Sequence, residues 1–289
     1  MVLDAKYKSL FIFPAVGASV VLFAVSLFFA LLGGVEATAW LGAAIASLPL
    51  PVIAAYVMFS GKERTSENLP LMLLIGAAGF MVAFWEQVIE GTSGWTPTGV
   101  AIAGALLLLM YIFWYSRFGR FDSVHLMVGG KLPAFTLKDT DGNTFESGSL
   151  LGAPAVLMFY RGNWCPLCMA QIKEMAERYQ ELDAMGIVVC LISPQPEELS
   201  RKLAAQHEVP FRFLVDEDNK VAEDLHIAVK NGVPVGIPGG YPPDTVLPTL
   251  VVTNAKGTIL FSDQTDNYRV RPEPDVFLAI LRRAGVKPQ

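Results

Sequence analysis

Four apolar stretches, over residues 10–32, 38–60, 70–88 and 99–116, dominate the first 118 residues of this sequence. Each is close to the ~20 residues that a helix needs to cross a hydrocarbon layer. Backbone N–H and C=O groups find no water there, so each stretch is expected to satisfy its own hydrogen bonds as a helix. The connections at 33–36, 61–64 and 91–94 are short and polar or glycine-rich, which makes neighbouring helices antiparallel. The first stretch is too long for a cleavable leader, and three more follow it. The expected architecture is a multi-domain membrane protein: an all-α transmembrane four-helix bundle over residues 1–118, a linker over 119–128, and a second domain over 129–289. Pro14, Pro49 and Pro51 are expected to kink their helices.

Basic residues set the expected orientation. Lys6 and Lys8 precede the first stretch, Lys62 and Arg64 lie in the second connection, and Arg117 and Arg120 follow the fourth stretch. The first and third connections carry no Lys or Arg, only Glu36 and the nearby Glu90. All positive charge therefore falls on one face, expected to be cytoplasmic, and an even number of spans places the second domain there too. The expected location is a bacterial inner or plasma membrane, with the lipid bilayer as a partner. Trp40, Trp85 and Trp95 fall near one boundary, and Trp114 and Tyr115 near the other, as interface anchors do.

The apolar region has little chemistry of its own. The first 118 residues contain neither Cys nor His, which excludes a thiol relay across the membrane and imidazole ligation of a heme. Glu86 and Glu90 stand four apart and read as a wetted pair at the outer end of the third span rather than as a proton path. The region is expected to act as an anchor. The net charge of −5 and the lack of a basic run exclude a nucleic-acid partner.

From about residue 129 the pattern changes to alternating strands and amphipathic helices, the mark of an α/β fold. Strands are expected at 134–138 and 144–146 around an Asp139-Thr140-Asp141-Gly142 turn, then at 155–160, 187–193, 211–215, 249–253 and 258–262. Helices are expected at 165–182, 197–207, 221–225 and 274–283. The glycine- and proline-rich stretch 231–243 is expected to be irregular. A dithiol follows the first central strand, and the order of elements is thioredoxin-like.

That dithiol lies in the run Phe159-Tyr160-Arg161-Gly162-Asn163-Trp164-Cys165-Pro166-Leu167-Cys168. Cys165 is placed at a helix N-terminus, where unpaired N–H groups and the dipole favour a thiolate. Pro166 suits the first helical turn, where a missing N–H costs nothing. Cys168 is three residues on, on the same helix face, and close enough to close a disulfide. A zinc site would need a second Cys pair or a spaced His pair, and neither exists, so no metal and no cofactor are expected. Cys190, inside an apolar strand, reads as a small core residue. Arg161 has two readings, a cation near the thiolate or a solvated loop charge.

Residues 129–285 resemble the AhpC/TSA redoxins, particularly peroxiredoxin-like proteins with a Trp-Cys-Pro-x-Cys site. The stretches that carry the resemblance are 132–137, 159–168 and 267–274. The resemblance implies reduction of peroxides or disulfides through a Cys165/Cys168 cycle, with regeneration by a thioredoxin-like reductant. It implies support or substrate binding by Trp164, Pro166, Arg161, Leu247 and Pro248, the Leu247–Pro248 bond being cis. One departure is plain: the family's peroxide-orienting motif Pro-x-x-x-Thr-x-x-Cys is here Met158, Gly162 and Cys165. Protein disulfide reduction without peroxidase activity and a non-catalytic redox sensor are the other readings. The stretch 155–160 also lacks the buried acid that typical thioredoxins use to deprotonate the resolving cysteine.

Overall fold

A computed structural model describes residues 2–91 and 94–287. Thr92 and Ser93, in the third connection, fall outside the described residues. The chain divides into two units: Leu10–Gly61 with Thr65–Arg117, and Met1–Ser9, Lys62–Arg64 and Phe118–Gln289.

The first unit is helical. Its elements are α1 (Val2–Leu32), α2 (Ala37–Ser47), α3 (Pro49–Phe59), α4 (Pro70–Val88) and α5 (Trp95–Leu109), the last continuing as a π-helical segment to Tyr115. Among the described residues, four helical stretches are long and apolar enough to cross a membrane, by length and composition. The second expected span is two helices, because Pro49 and Pro51 lack the N–H groups that would continue the ladder; Leu48, between them, keeps helical dihedrals.

Small residues line many of the helix contacts, while many large apolar side chains face outward. Large side chains such as Val21, Phe28, Leu71, Leu74 and Leu106 are exposed, while Ala43, Ala46, Ala83 and Ala101 are buried. Small residues let backbones approach, the usual basis of helix contact where no hydrophobic force acts. A Cβ on Gly79 would lie 2.3 Å from the Ala46 nitrogen, and one on Gly42 would lie 2.6 Å from the Ala83 nitrogen. Hydroxyls complete the contacts: Ser19 donates to Ser47 O at 2.9 Å and Thr98 to Ala83 O at 3.1 Å. Beyond the end of α4, Glu90 is exposed and accepts from Trp85 Nε1 at 3.1 Å.

The second unit is built on a seven-stranded sheet. In chain order its elements are β1 (Thr136–Asp139), β2 (Thr144–Glu146), β3 (Ala155–Phe159), α6 (Pro166–Glu177), α7 (Tyr179–Ala184), β4 (Val188–Ser193), α8 (Glu197–His207), β5 (Arg212–Val215), α9 (Lys220–Asp224), β6 (Ala228–Val229), β7 (Thr245–Val246), β8 (Thr249–Thr253), β9 (Ile259–Asp263) and α10 (Pro274–Arg283). The sheet order is β2-β1-β5-β4-β3-β8-β9, with β3, β4 and β5 parallel and β8 antiparallel to β3. This is the thioredoxin-like α/β arrangement. All five residues of β3 are buried, as a strand covered on both faces requires.

Three expectations change. The helix expected at 165–182 breaks at Arg178 into α6 and α7, where φ and ψ leave the helical region. The irregular stretch 231–243 is closed at its base by β6 pairing with β7, two strands of two residues that show no periodicity. The expected linker is tied to the segment after β9: Arg120 N donates to Asp266 Oδ1 at 2.9 Å, Ser123 N to Gln264 Oε1 at 2.7 Å, and Leu126 is fully buried.

Candidate active site

The site starts from β3. Phe159 pairs with Ile192 on one side and Thr249 on the other, so the chain leaves the sheet centre between two fixed neighbours. Residues 160–164 then carry it to the N-terminus of α6. A buried amide organises this loop. Gln195 Oε1 accepts from Asn163 N at 2.8 Å, and its Nε2 reaches Tyr160 Oη at 3.0 Å, Asn163 Oδ1 at 2.9 Å and Ser200 Oγ at 3.1 Å. Gln195 sits in a Ser-Pro-Gln-Pro connection with no signal in the sequence to mark it.

Cys165 is the N-cap of α6, with Pro166 at the first helical position. Its Sγ accepts from Cys168 N at 3.3 Å, taking one of the donors that a helix N-terminus leaves unpaired. Cys165 is 2% exposed and Cys168 fully buried. The two sulfurs are therefore on one turn, unbridged and shielded from water.

The surroundings shift the two sulfurs in opposite directions. Burial, together with the hydrogen bond and charge of Cys168, pushes the Cys165 thiol well above its ordinary value. Burial acts on Cys168 too, but the Cys165 hydrogen bond, the charges of Arg271 and Arg161 and the Arg161 backbone outweigh it and bring Cys168 to about 6. Arg271 Nη2 lies 4.0 Å from Cys168 Sγ, and its own side chain is 7% exposed. A helix terminus favours the N-cap sulfur, but a guanidinium brought in from a segment a hundred residues away favours the other. Nothing local to the dithiol motif encodes that approach.

Arg161 is no solvated charge. Its guanidinium stacks over the Trp164 ring at 4.5 Å from the centroid, and Nη2 donates to Gly232 O at 2.7 Å. Thr245 Oγ1 donates to Arg161 O at 2.9 Å, so both ends of the 231–243 stretch are tied to the dithiol loop. The Nε of Arg161 and Nε1 of Trp164 are buried without a partner.

Gly162 stands where the family pattern has Thr. Its φ is +139°, and a Cβ there would lie 2.8 Å from Trp164 Nε1 and 2.9 Å from its Cδ1. The indole occupies the space a threonine would need. Met158, where the pattern has Pro, pairs with Leu191 and Leu250 in mid-sheet, and proline is disfavoured in a central strand.

Leu247 and Pro248 lie beside this loop, next to Thr249, but the peptide bond between them is trans; no cis bond occurs among the described residues. Trans is the intrinsically preferred isomer, and here it is held by partners. Leu247 N donates to Ile227 O, Leu247 O accepts from Thr249 Oγ1, and Pro248 O accepts from Arg120 Nη1 at 3.1 Å. The backbone groups expected to dock substrate are thus occupied internally. Arg120, read from the sequence as a membrane-flanking charge, is 8% exposed and also reaches Thr249 Oγ1 and Gln264 Oε1. A cavity of about 650 Å³ opens near Gln195, Glu217 and Asp244, but neither cysteine lines it.

The AhpC/TSA family profile matches residues 128–262. Peroxiredoxin Q from rice (Oryza sativa subsp. japonica), described as chloroplastic, is 30% identical over 183 residues, covering 63% of this chain and 75% of the rice protein. Peroxiredoxin Q from Populus jackii is 32% identical over 110 residues, covering 38% of this chain and 49% of that protein. The chain spans about half the length of the poplar relative and of its counterparts in Suaeda salsa and wheat. Among solved structures, peroxidoxin BcpB from Mycobacterium tuberculosis aligns with a TM-score of 0.45 at 23% identity, covering 55% of this chain and 98% of that one.

Proposed function

Because the chain belongs to the AhpC/TSA family, we propose that it is a thiol-dependent peroxidase tethered to a membrane and cycling through a Cys165–Cys168 disulfide. The observation that carries this reading is the reduced pair itself, two sulfurs on the first turn of α6 bridged by the Cys168 N–H. The buried pair shares one proton between its two sulfurs. As Cys165 attacks a hydroperoxide, its proton passes by way of Cys168 to the leaving oxygen. The products are a Cys165 sulfenic acid, one alcohol or water, and a Cys168 thiolate. The thiolate then attacks Cys165 Sγ, forming the disulfide and expelling hydroxide. A thioredoxin-like donor would reduce the disulfide to restart the cycle.

A second reading, disulfide reduction without peroxidase activity, is favoured by Gly162, whose position leaves no hydroxyl to orient a peroxide. The chemistry is the same with a thiolate as leaving group. Stopped-flow oxidation of the reduced, detergent-solubilised protein by hydrogen peroxide separates the two. Fast oxidation that requires Cys165, with sulfenic acid accumulating in Cys168→Ser, supports the peroxidase. Slow oxidation alongside rapid reduction of a protein disulfide moves the function to disulfide exchange. The four apolar helices support the tether, and the basic residues of the connections support a cytoplasmic redoxin domain. Protease digestion of sealed vesicles of known orientation tests that placement.

A further inference from the structure

The dithiol cycle needs Cys168 deprotonated when it closes the disulfide, yet β3 and Tyr160 supply no carboxylate to act as its base. We propose that Arg271 meets this need by holding Cys168 as the thiolate, so that the resolving step requires no general base. The inference rests on the dithiol reading and adds a residue to it.

The argument begins with the arginine. Arg271 is 7% exposed, and its side chain has no carboxylate partner among the described residues. Among the described residues its one side-chain hydrogen-bond acceptor is Cys168 Sγ at 4.0 Å, and its buried Nε has no partner there. A guanidinium stays charged, and burying it without a counter-charge is costly. Cys168 Sγ is the group placed to provide one. Other groups facing this sulfur do not replace Arg271. Cys165 is its hydrogen-bonded neighbour, Tyr160 is buried with its phenol pushed up, and Arg161 acts from the loop. Arg120 lies close enough to act on Arg271 as a like charge. Once Cys165 is tied up as a sulfenic acid or mixed disulfide, its S–H no longer supports the Cys168 charge. Arg271 does, because it arrives from the segment after β9 and is untouched by the chemistry at α6.

In the exchange step, Cys168–S⁻ attacks Cys165 Sγ of a Cys165–S–S–R mixed disulfide. The Cys165–Cys168 bond forms, the bond to R breaks, and R leaves as a thiolate that takes its proton from water. Cys168 is oxidised and R reduced.

The full chain in detergent, reduced and mixed with 5,5′-dithiobis(2-nitrobenzoate), reports the two steps as two releases of the coloured thiolate. The second release should be independent of pH between about 6.5 and 9 in the wild type. A normal thiol is only ~3% ionised at pH 7. Arg271→Gln should therefore slow the second release about tenfold or more at pH 7, and the deficit should close near pH 9. Arg271→Lys should recover part of the rate. A second release equal in rate and pH profile to wild type overturns the proposal. If Arg271→Gln does not fold, thiolate absorbance near 240 nm in Cys165→Ser decides. Titration of Cys168 below pH 7 supports the proposal, and titration near 8.5 overturns it. Two releases from Cys168→Ser would instead refute the dithiol reading itself.

Discussion

Gly162 is where a substitution most directly tests why the peroxide-orienting residue is missing. Restoring the family's residue, Gly162→Thr, requires a β-branched side chain at φ +139° with its Cβ 2.8 Å from Trp164 Nε1. Backbone strain of this kind costs about 1–3 kcal/mol, and forcing extra atoms into a packed site about 1–3 kcal/mol more. The indole cannot simply swing away, because the Arg161 guanidinium stacks on it at 4.5 Å. A total near 3 kcal/mol corresponds to roughly 100-fold in an opening equilibrium. Cys190 provides the probe. It lies fully buried in β4 between two paired strands, so a reagent reaches it only when the unit opens. In a Cys165→Ser/Cys168→Ser background it is the only thiol, and its alkylation rate should rise roughly 100-fold on adding Gly162→Thr. Gly148→Ala, whose Cβ would meet nothing within 4 Å, is the control. A change below about fivefold (~1 kcal/mol) would refute the argument that the indole and the backbone together exclude threonine.

Gln195→Leu strips three hydrogen-bond contacts from the dithiol loop and one from Ser200, and should cost about 2–4 kcal/mol, read by the same alkylation rate. Burial pushes Cys190 up to about 12. Its folded value is raised, so its contribution to stability is complete below the unfolded value near 9 and is lost as the pH climbs from 9 to 12. The destabilisation caused by Cys190→Ala, measured by urea denaturation, should accordingly shrink by about 2 kcal/mol between pH 7 and 10.5. An unchanged difference would mean the thiol is not desolvated. In the helical unit, Gly79→Leu should lower the SDS midpoint of helix loss, since even a Cβ there lies 2.3 Å from the Ala46 backbone. Gly99→Ala, in open space, should leave that midpoint in place.

Where the sequence was readable, one strong local signal was enough. The apolar run over 70–88 and the amphipathic run over 274–283 coincide with α4 and α10 because length, period and a proline at the first helical position agree in each. The N-cap of α6 was equally legible, since Cys-Pro is itself a capping signal. Other features depended on segments far apart in the chain. Arg120 sits four residues beyond the fourth apolar stretch and looks like a flanking charge until Pro248 O and Gln264 are seen to hold it. The trans Leu247–Pro248 bond is held by the adjacent Thr249 and by Ile227 and Arg120, and nothing in the spacing marks the last two as its neighbours. Strands as short as β6 and β7 carry too few residues for alternation to register.

The departures at the site share one physical origin. With Trp164 filling the space beside Gly162, no threonine hydroxyl can be placed there against the thiols, and with Met158 in mid-sheet no proline turn can open that side. Polarity has to come from elsewhere, and the residues that bring it are arginines. Arg161 is held over the same indole, and Arg271 is buried against Cys168. A hydroxyl orients a peroxide oxygen, whereas a guanidinium stabilises a sulfur anion without regard to what the partner sulfur has attacked. In the proposed cycle, a site built this way would gain its rate at the resolving step rather than at recognition of the oxidant. In this reading, mutating the arginines should change disulfide closure with peroxide and with disulfide substrates to the same extent. A selective loss with peroxide alone would assign them to substrate orientation instead.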